Sequence, residues 1–383
     1  MFEQLRSALG FGAKNVLPHS TPLAVHVLNT SIFRAPGGLE RFVLDATQFA
    51  HDSLGIRSIL ISPAPDAGEM FEVFCNSIKL GSFSLPELQA MFRSRKLQIE
   101  SIHVHHMMNW ELSDFFSLCG SLWEHDAFKV LYIHDAFFVS RVESEGEQRE
   151  ALRQALIKFF RSFSQIVCPS ESAKNTFCGF YPETISNARI VPHLLYRFIE
   201  VEKQELNRKI DIVFSGACGM NKGIDRYEAL MKDLNSRFRF TTVGIENRFA
   251  GNPLVEHVHY SFHEGGDMTQ ILRNLRPAVA YLASVVPETF SYTLHEMLAA
   301  GIPVICTAES GNIAAKVKEL QCGKVFPDFP TLLRELETRG EEELGALLAA
   351  SKRYEISLNT GGLRALFGRE QEKEKRRNQL QRN

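Results

Sequence analysis

Two glutamates, Glu288 and Glu296, stand eight positions apart in the stretch PETFSYTLHEMLAAGIPVICT, residues 287–307. Carboxylates spaced in this way could accept hydrogen bonds from two hydroxyl-bearing groups of one ligand. The interval alone is weak evidence, because 34 glutamates among 383 residues give about three such pairs by chance, and the chain has three. The remaining pairs are Glu256/Glu264 and Glu335/Glu343. Only the surrounding residues can separate them.

The context of Glu288 and Glu296 is the predicted start of a helix. Pro287 ends a strand region, and TFSYT then supplies the backbone N–H groups of a first helical turn, which bind anions. At a rise of about 1.5 Å per residue, Glu296 lies about 12 Å beyond Glu288 and about 80° around the helix axis. A diphosphate on these amides would place a sugar and a ribose on opposite sides, each near one carboxylate. The other pairs lack this setting, since one spans a histidine-rich loop and the other lies on a charged helix.

Two glycine-bearing stretches also follow predicted strands. FRAPGGLERF (33–42) brings Gly37 and Gly38 to a helix start, where their backbone can approach an anion; an ordinary Gly-Gly turn is the alternative. VFSGACGMNKGIDRYEAL (213–230) carries Lys222, whose charge could neutralise a diphosphate; a solvated surface lysine is the alternative. The second stretch lacks the G-x-x-x-x-G-K-[ST] spacing, which excludes a P-loop nucleotidase.

Histidines cluster at the ends of two further predicted strands. His103, His105 and His106 stand in SIHVHHMMN, and His134 precedes Asp135 in YIHDAFF. Zinc is a weak alternative, because no carboxylate or cysteine completes the set at a familiar spacing. His134 closes a strand and opens a loop, the position from which α/β folds present reactive groups. Either catalysis or a structural hydrogen bond would fit that position.

Short apolar strands alternate with amphipathic helices, the pattern of a parallel sheet covered by helices. The strands are predicted at 23–29, 57–62, 101–106, 130–135, 165–170, 210–216, 238–244, 278–284 and 302–307. The principal helices are predicted at 39–55, 145–163, 223–235 and 289–301. A charge-rich stretch, IEVEKQELNRK (199–209), separates two such series and predicts two doubly wound α/β domains with a cleft between them.

We therefore predict one Rossmann-like domain over residues 1–204 and a second over 205–350. Residues 351–383 are predicted to be a helix or charged tail that could cross back to the first domain. Residues 63–98 of the first domain are expected to be loops. The opening MFEQLRSAL has apolar residues at helical spacing, which would suit a membrane surface or its own domain. Its single arginine gives little attraction for anionic lipid, which favours packing on the domain over a membrane surface.

Composition limits the classes of function. Hydrophobic residues make up 44% and charged residues 23% of the chain, as in an ordinary soluble globular protein. A net charge of −2 argues against nucleic acid as a partner. Seven scattered cysteines without a C-x-x-C pair predict free thiols in a reducing compartment. No apolar run of about 18 residues and no secretory signal is visible, so the sequence predicts a cytoplasmic protein.

Together these stretches resemble the large family 4 of retaining glycosyltransferases, which have the GT-B fold: two Rossmann-like domains that face a cleft. PETFSYTLHEMLAAGIPVICT is similar to that family's E-x(7)-E signature followed by its A-x-G-x-P-V segment. Weaker similarities follow in the family's order: APGGLER, SIHVHH, YIHD, CPSESAKNTF, VFSG with NKG, and GKVFP. The segment ETFSYTLHEMLAAGIPV is most similar to the corresponding segment of members that build bacterial surface polysaccharides such as O-antigens.

The resemblance implies that the first domain, 1–204, binds the acceptor, with loops such as 63–98 setting its specificity, and that the second, 205–350, binds the nucleotide sugar. It also implies roles for the matching positions. Glu288 would hold hydroxyls of the donor sugar beside the anomeric carbon, and His134 would act near the sugar and phosphate. Glu296 would bind the ribose. The other donor-binding positions that it implies are Lys222, Gly37, Gly38, Phe290, Ser291 and Tyr292 around the diphosphate, and Phe262 and His263 around the nucleobase.

Two positions depart from the family's pattern. Ala217 stands where many members have an arginine that binds the diphosphate, and Arg226 is a candidate replacement. Ala315 stands where a glutamate is usual. Both signature glutamates, Glu288 and Glu296, are nevertheless present.

The resemblance implies transfer of a hexose or deoxyhexose from a nucleotide-diphosphate sugar to a glycan or lipid-linked acceptor, with retention and with no cofactor or metal. Such an acceptor would bring peripheral contact with the inner membrane face. Two alternatives stay open. One is another GT-B activity, such as a nucleotide-sugar epimerase or an inverting transferase. The other is a catalytically silent GT-B subunit that binds glycan or scaffolds a partner enzyme, and Ala217 keeps it open.

Overall fold

The computed structural model describes residues 21–33, 37–65, 69–93, 97–199, 209–261, 264–276 and 279–368. These residues form two compact units. The first unit runs as far as His193 and resumes at Leu358, and the second unit comprises Leu194–Ser357. The prediction from sequence had set the divisions at 204/205 and 350/351. The chain therefore leaves the first unit, builds the second and rejoins the first near its end.

The first unit is built around an eight-stranded sheet. Its strands are β1 (Leu23–Val27), β2 (Arg57–Pro63), β3 (Met70–Cys75), β4 (Ile78–Ser84), β5 (Ile99–Val104), β6 (Phe128–Tyr132), β7 (Gln165–Cys168) and β8 (Ala188–Ile190). They lie in the order β4-β3-β2-β1-β5-β6-β7-β8. β1 pairs in parallel with β2 on one side and with β5 on the other, so the strand order reverses between β1 and β5. Such a reversal leaves a crevice at the carboxyl ends of the two strands.

Amphipathic helices pack on this sheet. They are α1 (Gly38–Phe49), α2 (Leu85–Phe92), α3 (Leu112–Trp123), α4 (Phe137–Glu143), α5 (Arg149–Phe160) and α6 (Glu171–Phe180). α1 shows why they form, because its buried side chains Phe42, Val43 and Ala46 recur at helical spacing and leave the opposite face to water. The helix passes into a π-helical turn that ends at Gly55, whose left-handed backbone (φ 64°) stops it.

The second unit contains a six-stranded sheet and a separate pair of strands. The strands are β9 (Leu194–Ile199), β10 (Asp211–Ser215), β11 (Arg239–Gly244), β12 (Val255–His259), β13 (Val279–Tyr281), β14 (Val304–Thr307), β15 (Gly323–Phe326) and β16 (Arg353–Leu358). The large sheet has the order β12-β11-β10-β13-β14-β15, and all its pairs are parallel. β9 pairs with β16. The order of the large sheet reverses between β10 and β13.

The helices of the second unit follow the strands in the manner of a doubly wound fold. They are α7 (Ile224–Leu234), α8 (Met268–Leu275), α9 (Tyr292–Ala300), α10 (Asn312–Leu320) and α11 (Phe329–Ala349). Tyr227 ties α7 to the sheet, because its buried hydroxyl donates to the backbone oxygens of Ile212 at 2.7 Å and Thr241 at 2.8 Å. The last helix, α12 (Thr360–Leu366), belongs to the first unit.

All nine predicted strands and all four principal helices are present, within a few residues of their predicted ends. The main difference lies in residues 63–98, which were expected to be loops. Their described part forms the antiparallel strands β3 and β4 and the helix α2. Asn76, with φ 51°, turns the chain between the two strands. The first sheet is therefore mixed at one edge, where a purely parallel sheet was predicted.

Candidate active site

A small pocket lies at the carboxyl ends of β10 and β13, where the strand order of the second unit reverses. It is lined by Phe214, Ser215, Gly216, Ala217, Lys222, Leu282, Ser284, Glu288, Ser291, Thr293 and Ile313. Parallel α/β sheets bind ligands at this point of their topology, because loops from two diverging strands leave room there. The pocket brings together residues from the glycine-rich loop, from the strand end and from the Glu288 stretch.

The glycine-rich loop that carries Lys222 is fixed by its backbone. Asn221 accepts hydrogen bonds at its backbone oxygen from the N–H of Val285 (3.0 Å) and from the Ser284 hydroxyl (2.8 Å). Gly223 has φ 80°, and a Cβ there would collide with the backbone oxygen of Ala283. Only glycine therefore lets α7 start this close to the end of β13. This close approach holds Lys222 at the lip of the pocket.

The first turn of α9 forms the opposite wall. Ser291 is its N-cap and accepts the N–H of Leu294 at its hydroxyl oxygen, at 3.2 Å. Phe290 folds back onto the same helix, where its ring stacks on that of His295 at 4.5 Å. Ser291 and Thr293 line the pocket, so the electropositive end of the helix faces it. The predicted helix start thus forms one wall of the pocket, and its free backbone N–H groups have the polarity that suits an anion.

Glu288 is held by the segment after β14. Its backbone oxygen accepts the N–H of Asn312 at 2.8 Å, and it forms a parallel bridge with Gly311. Gly311 has φ 60°, and a Cβ there would lie 2.7 Å from the backbone nitrogen of Glu288. No role was predicted for Gly311 or Asn312 from the sequence; a glycine shortly after a strand was the available signal.

The carboxylate of Glu288 forms an ion pair with the ammonium group of Lys222. The Glu288 side chain is 12% exposed and that of Lys222 is 39% exposed, so the pair lies at the boundary between pocket and solvent. The sequence predicted that Glu288 contacts the donor sugar and that Lys222 contacts the diphosphate. Their contact joins residues 66 positions apart and depends on the strand order of the sheet.

Arg226, the candidate replacement for the arginine missing at Ala217, is engaged elsewhere. Its guanidinium pairs with Glu309 and lies over the ring of Phe329, 5.6 Å from the centroid. Burial lowers the pKa of Arg226, but the hydrogen bond and charge of Glu309 outweigh burial and raise it. Among the described residues that line the pocket, Lys222 is therefore the basic one.

The structure distinguishes the three glutamate pairs. Glu296 is a buried residue of α9, 9% exposed, on the same helix that Glu288 precedes. The partners of the other four are surface or structural. Glu256 contacts Arg239 (3.2 Å), Glu264 contacts His259 (2.9 Å), and Glu335 and Glu343 both contact Lys324 (2.9 and 2.7 Å). Of the three pairs, Glu288/Glu296 is the one at the pocket, because Glu288 lines it and Glu296 lies on the helix that forms its wall.

The carboxyl edge of the first sheet is lined by histidines. Nδ1 of His26 lies 3.0 Å from Nε2 of His105, and Nδ1 of His105 lies 3.1 Å from Nε2 of His134. We call His26, His105 and His134 the histidine relay. Burial lowers the pKa of His26 and of His134 to about 3, and burial with neighbouring histidines lowers the pKa of His105 well below its usual range. The relay is therefore neutral near pH 7.

A second histidine contact lies beside the relay. His106 accepts the N–H of Met108 at Nδ1 (3.0 Å), so its proton is on Nε2, which donates to Asp135 at 3.0 Å. Burial alone would raise the pKa of Asp135, but hydrogen bonds from His106 and from the N–H of Phe137 lower it. Asp135 thus remains a carboxylate that fixes the loop after His134.

Gly37 and Gly38 start α1, with Gly37 as an extended N-cap. A Cβ on Gly37 would collide with the buried carboxylate of Glu40. Glu40 therefore already places its carboxyl group at this helix terminus, where a phosphate would bind. Phosphate binding by Gly37 and Gly38 stays a prediction.

The structure gathers Lys222, Glu288 and Ser291 at one pocket and places Phe290, Tyr292 and Glu296 on or beside the helix that forms its wall. His134, Gly37 and Gly38 belong to the first unit. Phe262 and His263 lie outside the described residues, as do the stretch MFEQLRSAL and the charged residues after 368.

Other features bear on the classes considered from sequence. Within the described ranges, no three histidine, cysteine, aspartate or glutamate side chains are grouped to hold a metal ion. All seven cysteines are free and buried. No helix in the described part of the chain combines the length and the apolar character needed to cross a membrane.

Comparison with solved structures confirms the GT-B fold. The sucrose-phosphate synthase of Thermosynechococcus elongatus has a TM-score of 0.60 at 14% identity, over 95% of this chain and 100% of that one. A glycosyltransferase of Rickettsia africae gives 0.56 at 12% identity, over 92% and 97%. HepE of Anabaena, in complex with UDP and glucose, gives 0.53 at 11% identity, over 86% and 93%.

The sequence comparison is more specific for one part of the chain. Residues 36–201 match the family described as Glycosyltransferase Family 4. No curated protein matches the sequence. The chain thus has the GT-B fold, and its residues 36–201 are similar to Glycosyltransferase Family 4.

Proposed function

We propose that this protein is a retaining glycosyltransferase that moves a hexose or deoxyhexose from a nucleotide-diphosphate sugar to a glycan or lipid-linked acceptor in surface-polysaccharide synthesis. The observation that carries the proposal is the Lys222–Glu288 pair beside the first turn of α9, in the pocket of the second unit. The Family 4 match over residues 36–201 supports the same class of reaction.

The pocket supplies what a diphosphate leaving group needs. Lys222 and the N-terminus of α9 offer one full and one partial positive charge, which stabilise the negative charge that develops as the sugar–phosphate bond breaks. Glu288 accepts hydrogen bonds from donor-sugar hydroxyls, and its ion pair with Lys222 orients it. Glu296 is proposed to serve the ribose, and the amides near Phe290 and Tyr292 the distal phosphate.

The reaction exchanges one bond at the anomeric carbon for another. The bond from that carbon to the phosphate oxygen breaks, a bond to the acceptor oxygen forms on the same face, and the acceptor proton passes to the departing phosphate. No metal is assigned to this step. The chain's contribution is positioning and electrostatic stabilisation.

The test is transfer from a panel of UDP-, GDP- and dTDP-sugars to lipid-linked acceptors, with the product anomer assigned by NMR. Glu288→Gln should lower turnover by about 10³-fold, because the amide cannot replace the carboxylate's charge. Glu256→Gln is the matched control, since Glu256 belongs to a surface pair at the same spacing.

Near-wild-type turnover of Glu288→Gln would refute the donor-site assignment. Loss of activity in EDTA would refute metal-independent transfer. A product whose anomeric configuration is opposite to that of the donor would show an inverting transferase. Nucleotide binding without transfer from any donor would favour a silent subunit, the alternative that Ala217 keeps open.

A further inference from the structure

The strand pair β9–β16 lies outside the main sheet of the second unit, and β16 is attached to the ends of two helices. A Cβ on Gly301, the C-cap of α9, would lie 3.5 Å from the Cβ of Arg353 on β16. The Tyr354 hydroxyl on the same strand donates to the backbone oxygen of Leu320, the last residue of α10, at 3.2 Å. Both α9 and α10 begin at the pocket and end against this strand.

Tyr196 on β9 contacts the same two helices closer to the pocket. Its ring stacks on that of His295 in α9, with the centroids 5.4 Å apart and 28° between the planes. The ammonium group of Lys316 in α10 lies 5.5 Å from the centroid of the Tyr196 ring, the geometry of a cation–π contact. Tyr196 therefore packs against the helix that forms a wall of the pocket and against the helix whose first residue, Asn312, holds Glu288.

His295 carries this contact to the N-cap of α9. Its Nδ1 lies 2.6 Å from the backbone oxygen of Ser291. A carbonyl oxygen only accepts hydrogen bonds, so Nδ1 is protonated and donates. The peptide group is planar, and fixing its oxygen fixes the plane of the peptide that joins Ser291 to Tyr292, the first residue of the helix. The stack of His295 on Phe290 adds a second restraint on the chain that enters the helix.

We propose that Tyr196 is a positioning residue of the donor site, which holds the first turn of α9, through His295, in the arrangement that binds a nucleotide diphosphate. Among the described residues, those that line the pocket include none of β9, so Tyr196 acts through α9 and not on the ligand. Its effect on nucleotide binding rests on the proposed function, whereas its support of the first turn of α9 does not.

The coupling must act in both directions. A ligand that binds better when the first turn of α9 is held in place also stabilises the contacts that hold it. Binding of a nucleotide should therefore stabilise the Tyr196 stack and β9. Because the chain enters the second unit at Leu194 and leaves it at Ser357, the coupling joins the donor site to the strands at both ends of that unit.

Phe198 provides a matched control on the same strand. Its ring is 53% exposed and contacts that of Tyr354 at a centroid distance of 5.9 Å. Replacing Phe198 with isoleucine removes an aromatic ring from β9 and leaves the stack of Tyr196 on His295 in place. A general weakening of the strand pair would appear in this variant as well.

The first experiment is hydrogen–deuterium exchange of the full-length protein without ligand, read over residues 290–300. Tyr196→Ile keeps a residue suited to a strand but loses the ring, so exchange in this segment should rise about tenfold. Tyr196→Phe keeps the ring and should match wild type, and so should Phe198→Ile. Unchanged exchange in Tyr196→Ile, or equal increases in the two isoleucine variants, would overturn the proposal.

A second variant tests the link through His295. His295→Phe keeps an aromatic ring but loses the hydrogen bond to Ser291, so it too should raise exchange over residues 290–300. This variant decides the proposal should Tyr196→Ile not fold, because unchanged exchange would show that His295 does not support the first turn of α9.

Calorimetry then tests nucleotide binding, with whichever of UDP, GDP and dTDP binds the wild-type protein. Tyr196→Ile should raise the Kd about tenfold, because only about a tenth of the molecules would hold the turn in the binding arrangement, and Tyr196→Phe and Phe198→Ile should stay within about twofold. In the wild-type protein the nucleotide should also slow exchange over residues 194–199, and Tyr196→Ile should lose this protection.

The two experiments separate this proposal from the proposed function. Faster exchange in Tyr196→Ile with an unchanged Kd would give Tyr196 a structural role alone and overturn the proposal. If none of the three nucleotides binds the wild-type protein, the proposed function fails, and exchange without ligand still decides whether Tyr196 supports α9.

Discussion

The two units place different chemistry at the same point of their sheets. In the second unit the point of strand reversal carries a charged pair, Lys222 and Glu288, beside a helix N-terminus. In the first unit the corresponding edge carries neutral, buried imidazoles packed among aromatic rings. Full charges suit a diphosphate, whereas neutral donors and acceptors give directional hydrogen bonds without attracting counter-charge.

Because of this difference, the two units should respond differently to pH and to substitution. The Lys222–Glu288 pair lies at the solvent boundary, and each partner depends on the other for its position. Buried neutral histidines are compatible with the folded state only while they stay uncharged, because protonation in the unfolded state favours unfolding. The comparison therefore predicts an acid-sensitive first unit and a second unit whose site depends on a few charges and close backbone contacts.

The largest expected effect is acid destabilisation of the first unit. The folded pKa values of His26 and His134, about 3, lie below their unfolded value of 6.5, so their stabilisation is complete above pH 6.5 and is lost as the pH falls toward 3. At pH 5 each should cost about 2 kcal/mol, or about 4 kcal/mol together.

The measurement is urea unfolding at pH 7 and pH 5, followed by tryptophan fluorescence. Both tryptophans, Trp110 and Trp123, belong to the first unit, so the signal reports that unit. His26→Phe should remove about 2 kcal/mol of the pH dependence, and the exposed His51→Asn should not change it. Equal stability at both pH values would contradict the neutral-core account.

A smaller effect is expected at Gly311 in the second unit. Gly311→Ala adds a Cβ 2.7 Å from the backbone of Glu288 at φ 60°, which should destabilise the unit by about 3 kcal/mol and lower turnover about 10- to 100-fold. Gly251 has a similar backbone (φ 81°) with open space around its Cβ position. Gly251→Ala should cost about 1 kcal/mol and leave turnover unchanged. Similar losses of turnover in both variants would show that Gly311 does not position Glu288.

Local sequence patterns predicted most of the architecture. Apolar runs such as LAVHVLN and VLYIHD gave the strands, because strands buried on both faces read as continuous hydrophobic stretches. The helix start after Glu288 was predicted from its position behind a strand, and Ser291 is indeed its N-cap. Residue context also singled out Glu288 and Glu296 from three pairs with the same spacing, and in the structure Glu288 lines the pocket while Glu296 lies on the helix that forms its wall.

Contacts between distant strands could not be predicted in the same way. His26 lies beside His103 because β1 and β5 pair in parallel in that register, which a single sequence does not specify. The Lys222–Glu288 pair depends likewise on β10 lying next to β13. Apolar and polar residues alternate in MFEVFC and IKLGSFS, as strands require, but the sequence prediction had a loop where these segments form a short hairpin.

The central claim is that the second unit binds a nucleotide diphosphate through Lys222. Calorimetric titration of UDP, GDP and dTDP identifies the nucleotide that binds the wild-type protein. Lys222→Ala should then weaken its affinity about 10- to 100-fold, because a charge-assisted contact is lost. Arg226→Ala should change affinity less than about twofold, since Arg226 is held by Glu309. Unchanged affinity in Lys222→Ala, or a larger loss in Arg226→Ala, would contradict the account.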